Sequence, residues 1–156
     1  MTPRPRPTVH APTIEGVVDA ADPPAFRTHY RQLGPLLGGG LLGGTVYEFE
    51  PGQRTGPYHY ELGNEECLLV LAGTPTLRHL EGRDVLTVGD LVMFVEGGPG
   101  AHQLINESAE TARVLILSTK REPYGCAYPD SGKLSTLGGV FRLADTVDYW
   151  DGETAG

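Results

Sequence analysis

The sequence predicts an all-β protein, on three observations. Its 22 glycines and 13 prolines are spread along all 156 residues and separate short runs rich in Val, Leu, Thr and Tyr. Within these runs apolar and polar residues alternate, as in strands that bury one face. The runs recur about every ten residues, which is typical of a sandwich, a jelly roll or a closed barrel.

The order of these runs predicts seven or eight strands. A short link at residues 81–84, "EGRD", fits the turn of an antiparallel hairpin. The predicted strands are residues 45–51, 65–73, 74–80, 84–88, 89–94, 101–106, 112–119 and 140–144.

A chain of 156 residues is long enough to bury roughly 70% of its unfolded surface around a single core. We therefore expect three parts around one core: an N-terminal arm and lead-in segment (1–43), the barrel (44–118) and a C-terminal tail (119–156). The Pro-rich start of the arm predicts disorder. The tail carries Tyr149 and Trp150, whose burial would be a large apolar gain. It is therefore expected to dock on the barrel or on a second subunit.

Charge and cysteine usage exclude several classes of partner. The formal net charge is −8, and the few basic residues are scattered, so neither a nucleic acid nor an anionic membrane surface is an expected partner. No apolar run approaches the roughly 20 residues of a spanning helix. Cys67 and Cys126 are too few for a disulfide framework. The sequence therefore predicts a cytoplasmic protein.

A group of imidazoles and carboxylates lies at the start of the predicted strands. Because side chains at i and i+2 of a strand point the same way, His59 and Glu61 face together. Glu66 opens the next strand, and His102 opens a third. Two neutral nitrogens give directional ligation, and carboxylates neutralise a divalent ion that could not otherwise leave water. These four residues are the candidate ligands of a divalent transition metal: Mn, Fe, Ni or Zn.

The segments "HYELGNEECLLVLAG" and "GDLVMFVEGGPGAHQLIN" resemble the two conserved motifs of the cupin superfamily. Those motifs read G-x5-H-x-H-x3–4-E-x6-G and G-x5-P-x-G-x2-H-x3-N. The matching positions are His59, Glu66 and Gly73 in the first motif, and Gly89, His102 and Asn106 in the second. The resemblance implies a small jelly-roll barrel with a metal in its wider end. The tail also resembles that of a group of small bacterial proteins with a single cupin domain.

The chain departs from the motifs at several positions. Glu61 replaces the second histidine of the first motif, and Val95 replaces the proline of the second. The interval from Gly97 to His102 is also longer than in the second motif. The glycine that opens the first motif, Gly52, lies earlier than the motif requires. Of these departures, only Glu61 affects a ligand position.

Ligand chemistry leaves three alternatives for Glu61. It binds the metal, which gives a two-His, two-Glu site that favours Mn or Fe(II) over Cu. It turns away, which leaves a two-His, one-carboxylate set of the kind used in non-haem Fe(II) oxygen chemistry. In the third alternative the replacement of histidine by Glu61 weakens metal binding until the site stays empty. All four residues could also form a hydrogen-bonded polar cluster that needs no metal.

The same resemblance implies an enclosed, mostly apolar cavity beside the metal. His79 is either a base facing this cavity or, as we favour, an edge residue in contact with solvent. The residues predicted to line the cavity are Leu68, Val70, His79, Met93 and Leu104.

Two main classes of function are compatible with these residues, and a metal-free structural cupin that acts as a partner subunit is a third. One is a metal-dependent enzyme, an oxygenase such as a dioxygenase, or an isomerase, that acts on a small oxygen-rich organic molecule bound at the metal. The other is a cupin that binds or senses a small molecule without turnover, since no general base is identifiable beside the metal. The resemblance and the aromatic tail also predict a homodimer.

Overall fold

The computed structural model describes residues 8–154. The prediction of a disordered N-terminal arm falls largely on residues 1–7, which lie outside the described residues. In the described part of the chain, no helix is long and apolar enough to cross a membrane.

Within these residues the chain forms β-strands and only short helical turns. One α-helical turn, α1, spans Gly34–Leu37, and 3-10 turns include Pro24–Phe26, Gly98–Gly100 and Pro129–Ser131. The strands are β1 (His29–Gln32), β2 (Leu42–Phe49), β3 (Tyr60–Leu62), β4 (Glu66–Ala72), β5 (Thr76–His79), β6 (Gly82–Val85), β7 (Leu91–Phe94), β8 (His102–Ile105), β9 (Ala112–Thr119), β10 (Gly125–Tyr128), β11 (Lys133–Thr136) and β12 (Gly139–Arg142).

The strands form three antiparallel sheets. A five-stranded sheet has the order β1-β2-β9-β4-β7, a four-stranded sheet the order β12-β11-β10-β3, and a three-stranded sheet the order β6-β5-β8. Strands that are distant in sequence lie side by side, for example β2 with β9 and β3 with β10. The all-β class with antiparallel sheets predicted from the sequence is confirmed.

The core lies between the inner faces of the sheets. In the five-stranded sheet Leu68 pairs with Ile116, and Val70 with Val114, so these alternate residues of β4 and β9 point inward. Leu104 of β8 meets them from the opposite sheet. Each fully buried aliphatic side chain of this kind contributes about 1.5–3 kcal/mol of transfer free energy. The core therefore holds in place the strand ends that carry the site.

Most predicted strands are present. The strand predicted at residues 84–88 lies instead at Gly82–Val85, as β6. It begins earlier because its partner β5 is followed by a tight turn at Leu80–Glu81. The short strands β1, β10 and β11 were not predicted, and β3 was predicted only as the extended segment that carries His59 and Glu61. β10 pairs with β3, which is distant in sequence, whereas β1 and β11 pair with strands that neighbour them in sequence.

Asn106 is expected to be a stability determinant. Its side chain is fully buried, its Nδ2 donates to the Phe49 and Glu110 carbonyls at 2.9 and 2.7 Å, and its Oδ1 accepts from Ser108. Asn106→Ala would leave these two carbonyls without donors, at a cost of about 2–3 kcal/mol. Thermal unfolding should show a drop in Tm of roughly 5–10 °C. Ser108→Ala, which keeps both donors, should lower Tm much less; equal drops would contradict this role.

Candidate metal centre

His59 and His102 are held opposite one another by the backbone. They form an antiparallel bridge in which the His59 N–H donates to the His102 carbonyl at 3.1 Å and the His102 N–H to the His59 carbonyl at 2.8 Å. Residues directly opposite in such a pair project their side chains on the same side. The two imidazole rings accordingly lie 4.6 Å apart, centroid to centroid.

Each imidazole is also oriented by a carbonyl two residues earlier in the chain. Nδ1 of His59 lies 2.8 Å from the Pro57 oxygen, and Nδ1 of His102 lies 2.9 Å from the Gly100 oxygen. A carbonyl can only accept, so Nδ1 of each ring must carry the proton. In the neutral rings the lone pair is then on Nε2, the arrangement found in metal-binding histidines.

The longer interval between Gly97 and His102 has a structural role. Its residues form the 3-10 turn Gly98–Gly100, which brings Gly100 against the backbone of Val95. A Cβ on Gly100 would lie 1.9 Å from the Val95 oxygen, so only glycine fits. The turn thereby places the Gly100 carbonyl where it can orient His102.

Glu66 supplies a carboxylate between the two rings. Its Oε2 lies 3.4 Å from Nε2 of His102 and 3.9 Å from Nε2 of His59, and it has no hydrogen-bond partner although it is buried. Burial, together with the charge of Glu61, raises the pKa of Glu66 to about 7, although Lys120 acts in the opposite direction. A carboxylate desolvated in this way requires a proton or a cation.

His102 is the most buried of the three groups. The ring of Phe94 stacks on it at 3.6 Å with an interplanar angle of 6°. Burial, together with the neighbouring His59, lowers the pKa of His102 to about 3, although the hydrogen bond to the Gly100 carbonyl acts in the opposite direction. His102 is therefore neutral at physiological pH, as a metal ligand must be.

His59, Glu66 and His102 each offer one ligand atom, and these atoms lie within 4.8 Å of one another. Two imidazole lone pairs and an unpartnered buried carboxylate oxygen converge on one point, which fits a divalent transition metal. A fourth or fifth ligand would have to come from outside this group, so such an ion would keep positions for small molecules.

Glu61 does not belong to this group of three. It forms a second group with His59 and Cys126, whose ligand atoms also lie within 4.8 Å of one another. Burial raises the pKa of Glu61, against lowering effects of His59, Lys120 and Cys126. Cys126 enters because β10 pairs with β3, in register Cys126 to Glu61. Sequence analysis did not identify Cys126; the only signal was that this cysteine has no partner for a disulfide.

The cavity next to the carboxylates is polar rather than apolar. It has a volume of about 80 Å³, and its lining includes carboxylates, hydroxyls and one lysine. The lining residues are Glu61, Asn64, Glu66, Ser118, Thr119, Lys120, Glu122 and Tyr124.

Of the residues predicted to line a cavity, Leu68, Val70 and Leu104 are instead packed in the core. Met93 requires a correction, because it is 57% exposed and pairs with Cys67 on the outer face of the five-stranded sheet. Phe94, one residue later, pairs with Glu66. The register of β7 on β4 therefore places Phe94 on the inner face and Met93 on the outer face of the sheet.

His79 pairs with His102 in register but does not reach the group of three. Its Nε2 lies 3.2 Å from Asp84 Oδ2, and its Nδ1 accepts from the Glu81 N–H at 3.3 Å. The ring is thus engaged with the β5–β6 hairpin at the barrel edge.

Short antiparallel strands around a buried core, with two histidines and a glutamate converging at one end, define a β-barrel with a candidate metal site. Residues 45–118 match the cupin domain family, so this part of the chain is a cupin domain. None of the curated proteins matches the sequence.

Several solved structures are similar to this chain. A candidate sugar phosphate isomerase from Acidithiobacillus ferrooxidans shares 26% identity, with 80% of this chain and 82% of that chain covered and a TM-score of 0.72. A cupin sugar phosphate isomerase from Silicibacter pomeroyi shares 22%, with coverage of 93% and 98% and a TM-score of 0.77. The polyketide cyclase RemF from Streptomyces resistomycificus shares 21%, with coverage of 83% and 84% and a TM-score of 0.59. The last two show likeness of fold alone.

Proposed function

We propose that this cupin is a metal-dependent enzyme of the isomerase type that acts on a small oxygen-rich organic molecule. The observation that carries the proposal is the buried Oε2 of Glu66, which has no hydrogen-bond partner and faces the Nε2 atoms of His59 and His102. A divalent ion at this point, Mn, Fe, Ni or Zn, would satisfy all three groups. Bound there, it would polarise a carbonyl or hydroxyl oxygen of the substrate.

The protein's own residues supply the remaining chemistry. Glu61 lies beside His59 and lines the small cavity, so its carboxylate can take a proton from the carbon next to a substrate carbonyl. Return of that proton to the neighbouring carbon completes an isomerisation without an oxidant. Lys120 lines the same cavity and can bind an anionic group of the substrate.

Two observations favour isomerisation over oxygenation. The candidate sugar phosphate isomerase is 26% identical over most of both chains, and Glu61 provides a proton acceptor beside the group of three. The cavity of about 80 Å³ is smaller than the roughly 300–1,000 Å³ of ordinary ligand sites. Only the reacting end of a substrate fits inside it, and the rest must lie at the rim near Lys120.

The proposal is tested by metal content and turnover together. Protein purified without chelators or a His-tag should carry near-stoichiometric Mn, Fe, Ni or Zn, and His59→Ala should lose it. A panel of aldose and ketose phosphates, with keto acids as a second set, should then reveal interconversion by NMR. A metal-loaded protein that binds such compounds but converts none would instead support the binding or sensing alternative.

We also propose a homodimer in which the C-terminal tail contacts a second copy. β10 pairs with β3 and β11 pairs with β10, whereas residues 147–154 at the end of the described tail are exposed. Tyr149 and Trp150 are 83% and 71% exposed. Together with Phe141 these rings expose roughly 400 Å² of side-chain surface. This is about half of the surface that one partner buries in a standard interface. The outer face around Leu91 and Met93 is an exposed apolar surface that such a tail can cover.

Light scattering should therefore give a mass of twice 16.7 kDa. Replacing both Tyr149 and Trp150 with serine should shift the protein toward the monomer because it removes the largest exposed rings. Leu80→Ser, which changes an exposed leucine at the β5–β6 turn, is the control and should leave the mass unchanged. A wild-type mass of one chain would refute the dimer.

The free cysteines Cys67 and Cys126 are in keeping with the cytoplasmic compartment that we propose.

A further inference from the structure

A second set of ligand atoms lies beside the first and shares one histidine with it. His59, Glu61 and Cys126 each offer one ligand atom, and these atoms lie within 4.8 Å of one another. Glu61 and Cys126 are directly opposite in the β3–β10 pair, so their side chains project on the same side of the sheet. The backbone of two paired strands holds both groups near His59.

The surroundings of Cys126 suit a bound ion better than a free reactive thiol. The residue is only 8% exposed, and burial raises the pKa of its thiol to about 12. A thiol of this kind is a poor nucleophile in the absence of a cation. A coordinated metal removes the thiol proton and compensates the buried negative charge.

We propose that Glu61 and Cys126, together with His59, bind a strongly thiophilic divalent cation such as Cd²⁺. On binding, the S–H bond of Cys126 breaks, its proton leaves to solvent, and a sulfur–metal bond forms with no change of oxidation state. One thiolate and one carboxylate together neutralise the two positive charges. Thiolate ligands select such ions over Mn²⁺ or Mg²⁺, which prefer oxygen ligands.

The shared histidine makes the two ligand sets alternatives. Nδ1 of His59 donates to the Pro57 carbonyl, so only Nε2 remains for a metal. An ion held by Glu61 and Cys126 therefore takes His59 away from Glu66 and His102, and it also engages the proposed proton acceptor. The identity of the ion decides which set is used. This inference goes beyond the proposed reaction and does not depend on turnover.

Absorption spectroscopy of the metal-free full-length protein tests the inference. Titration with Cd²⁺ should produce a sulfur-to-cadmium charge-transfer band in the ultraviolet that saturates at a single equivalent. Cys126→Ser should abolish the band. Cys67→Ser is the matched control, because Cys67 pairs with Met93 on the outer face, and it should keep the full band. A wild type without the band, or a band that survives in Cys126→Ser, would overturn the proposal.

A second measurement covers the case in which Cys126→Ser does not fold. Cadmium NMR of the Cys67→Ser protein should show a chemical shift typical of one sulfur ligand, and a shift typical of nitrogen and oxygen ligands alone would overturn the inference. Mn²⁺ binding is measured in parallel. Mn²⁺ and Cd²⁺ binding without any sulfur signal would sink this inference and leave the proposed function standing. A sulfur signal without Mn²⁺ binding would support this inference and count against a working centre at Glu66 and His102.

Discussion

Glu66→Gln is expected to weaken Mn²⁺ binding by at least about 100-fold, since loss of a residue that only supports a ligand already costs about 10–100-fold. Glutamine keeps the size of the side chain but removes the negative charge that lies 3.4 Å from Nε2 of His102. Two neutral imidazoles would then have to hold a desolvated divalent ion without any compensating charge. Isothermal titration calorimetry of the metal-free protein with Mn²⁺ gives the affinity directly.

The neighbouring residue provides the control. Glu65 carries the same charge, but its side chain is exposed to solvent, so Glu65→Gln changes net charge equally without changing the centre. It should leave Mn²⁺ affinity within about twofold, because exposed charges are screened. If both variants lost affinity to a similar extent, general electrostatic attraction would explain Mn²⁺ binding and the ligand role of Glu66 would be wrong.

Glu66→Gln is also expected to make the metal-free protein less stable in acid. Two pKa shifts of opposite direction affect the stability of the wild type. The pKa of Glu66 is raised from 4.5 to about 7, and the pKa of His102 is lowered from 6.5 to about 3. As the pH falls from 6.5 to 4.5, folded Glu66 holds a proton that the unfolded chain does not, which adds stability. Over the same range unfolded His102 takes up a proton that the folded form does not, which removes stability. The two effects oppose each other.

In Glu66→Gln only the contribution of His102 remains. The free energy of unfolding should then fall by about 2 kcal/mol between pH 6.5 and 4.5 relative to the wild type. Urea unfolding with a chelator present, repeated across this range, measures the difference. His102→Gln should have the reverse effect, since Glu66 alone favours the folded state as the pH falls. Parallel curves for the wild type and Glu66→Gln would show that Glu66 does not take up this proton.

The three candidate ligands were accessible to sequence reasoning because each member follows a local rule. His59 and Glu66 lie at the ends of segments joined by a short connection, and His102 opens a strand whose alternation is visible in the sequence. Strand alternation is a local property, so it can be read without knowledge of the partner strand. The buried positions of Leu68, Val70 and Leu104 follow from the same alternation.

Features that depend on pairing between distant strands were not accessible in this way. Cys126 reaches Glu61 only because β10, beyond the barrel, returns to pair with β3. The same limit explains Met93, since a shift of one residue in register moves every side chain of a strand to the other face. The polar cavity was missed for a related reason, because its lining combines Asn64, which lies within the matched domain, with Lys120, which lies just beyond its end.

The carbonyls that orient the two histidines limit how the centre can be rebuilt. Each imidazole depends on the residue two positions before it, Pro57 for His59 and Gly100 for His102. For position 61 the corresponding residue is His59, whose carbonyl already accepts the His102 N–H at 2.8 Å. A histidine in place of Glu61 would have to share that acceptor, so its tautomer would not be set as firmly. Grafting this centre onto another barrel therefore means transplanting three-residue segments that end in each histidine, rather than single side chains.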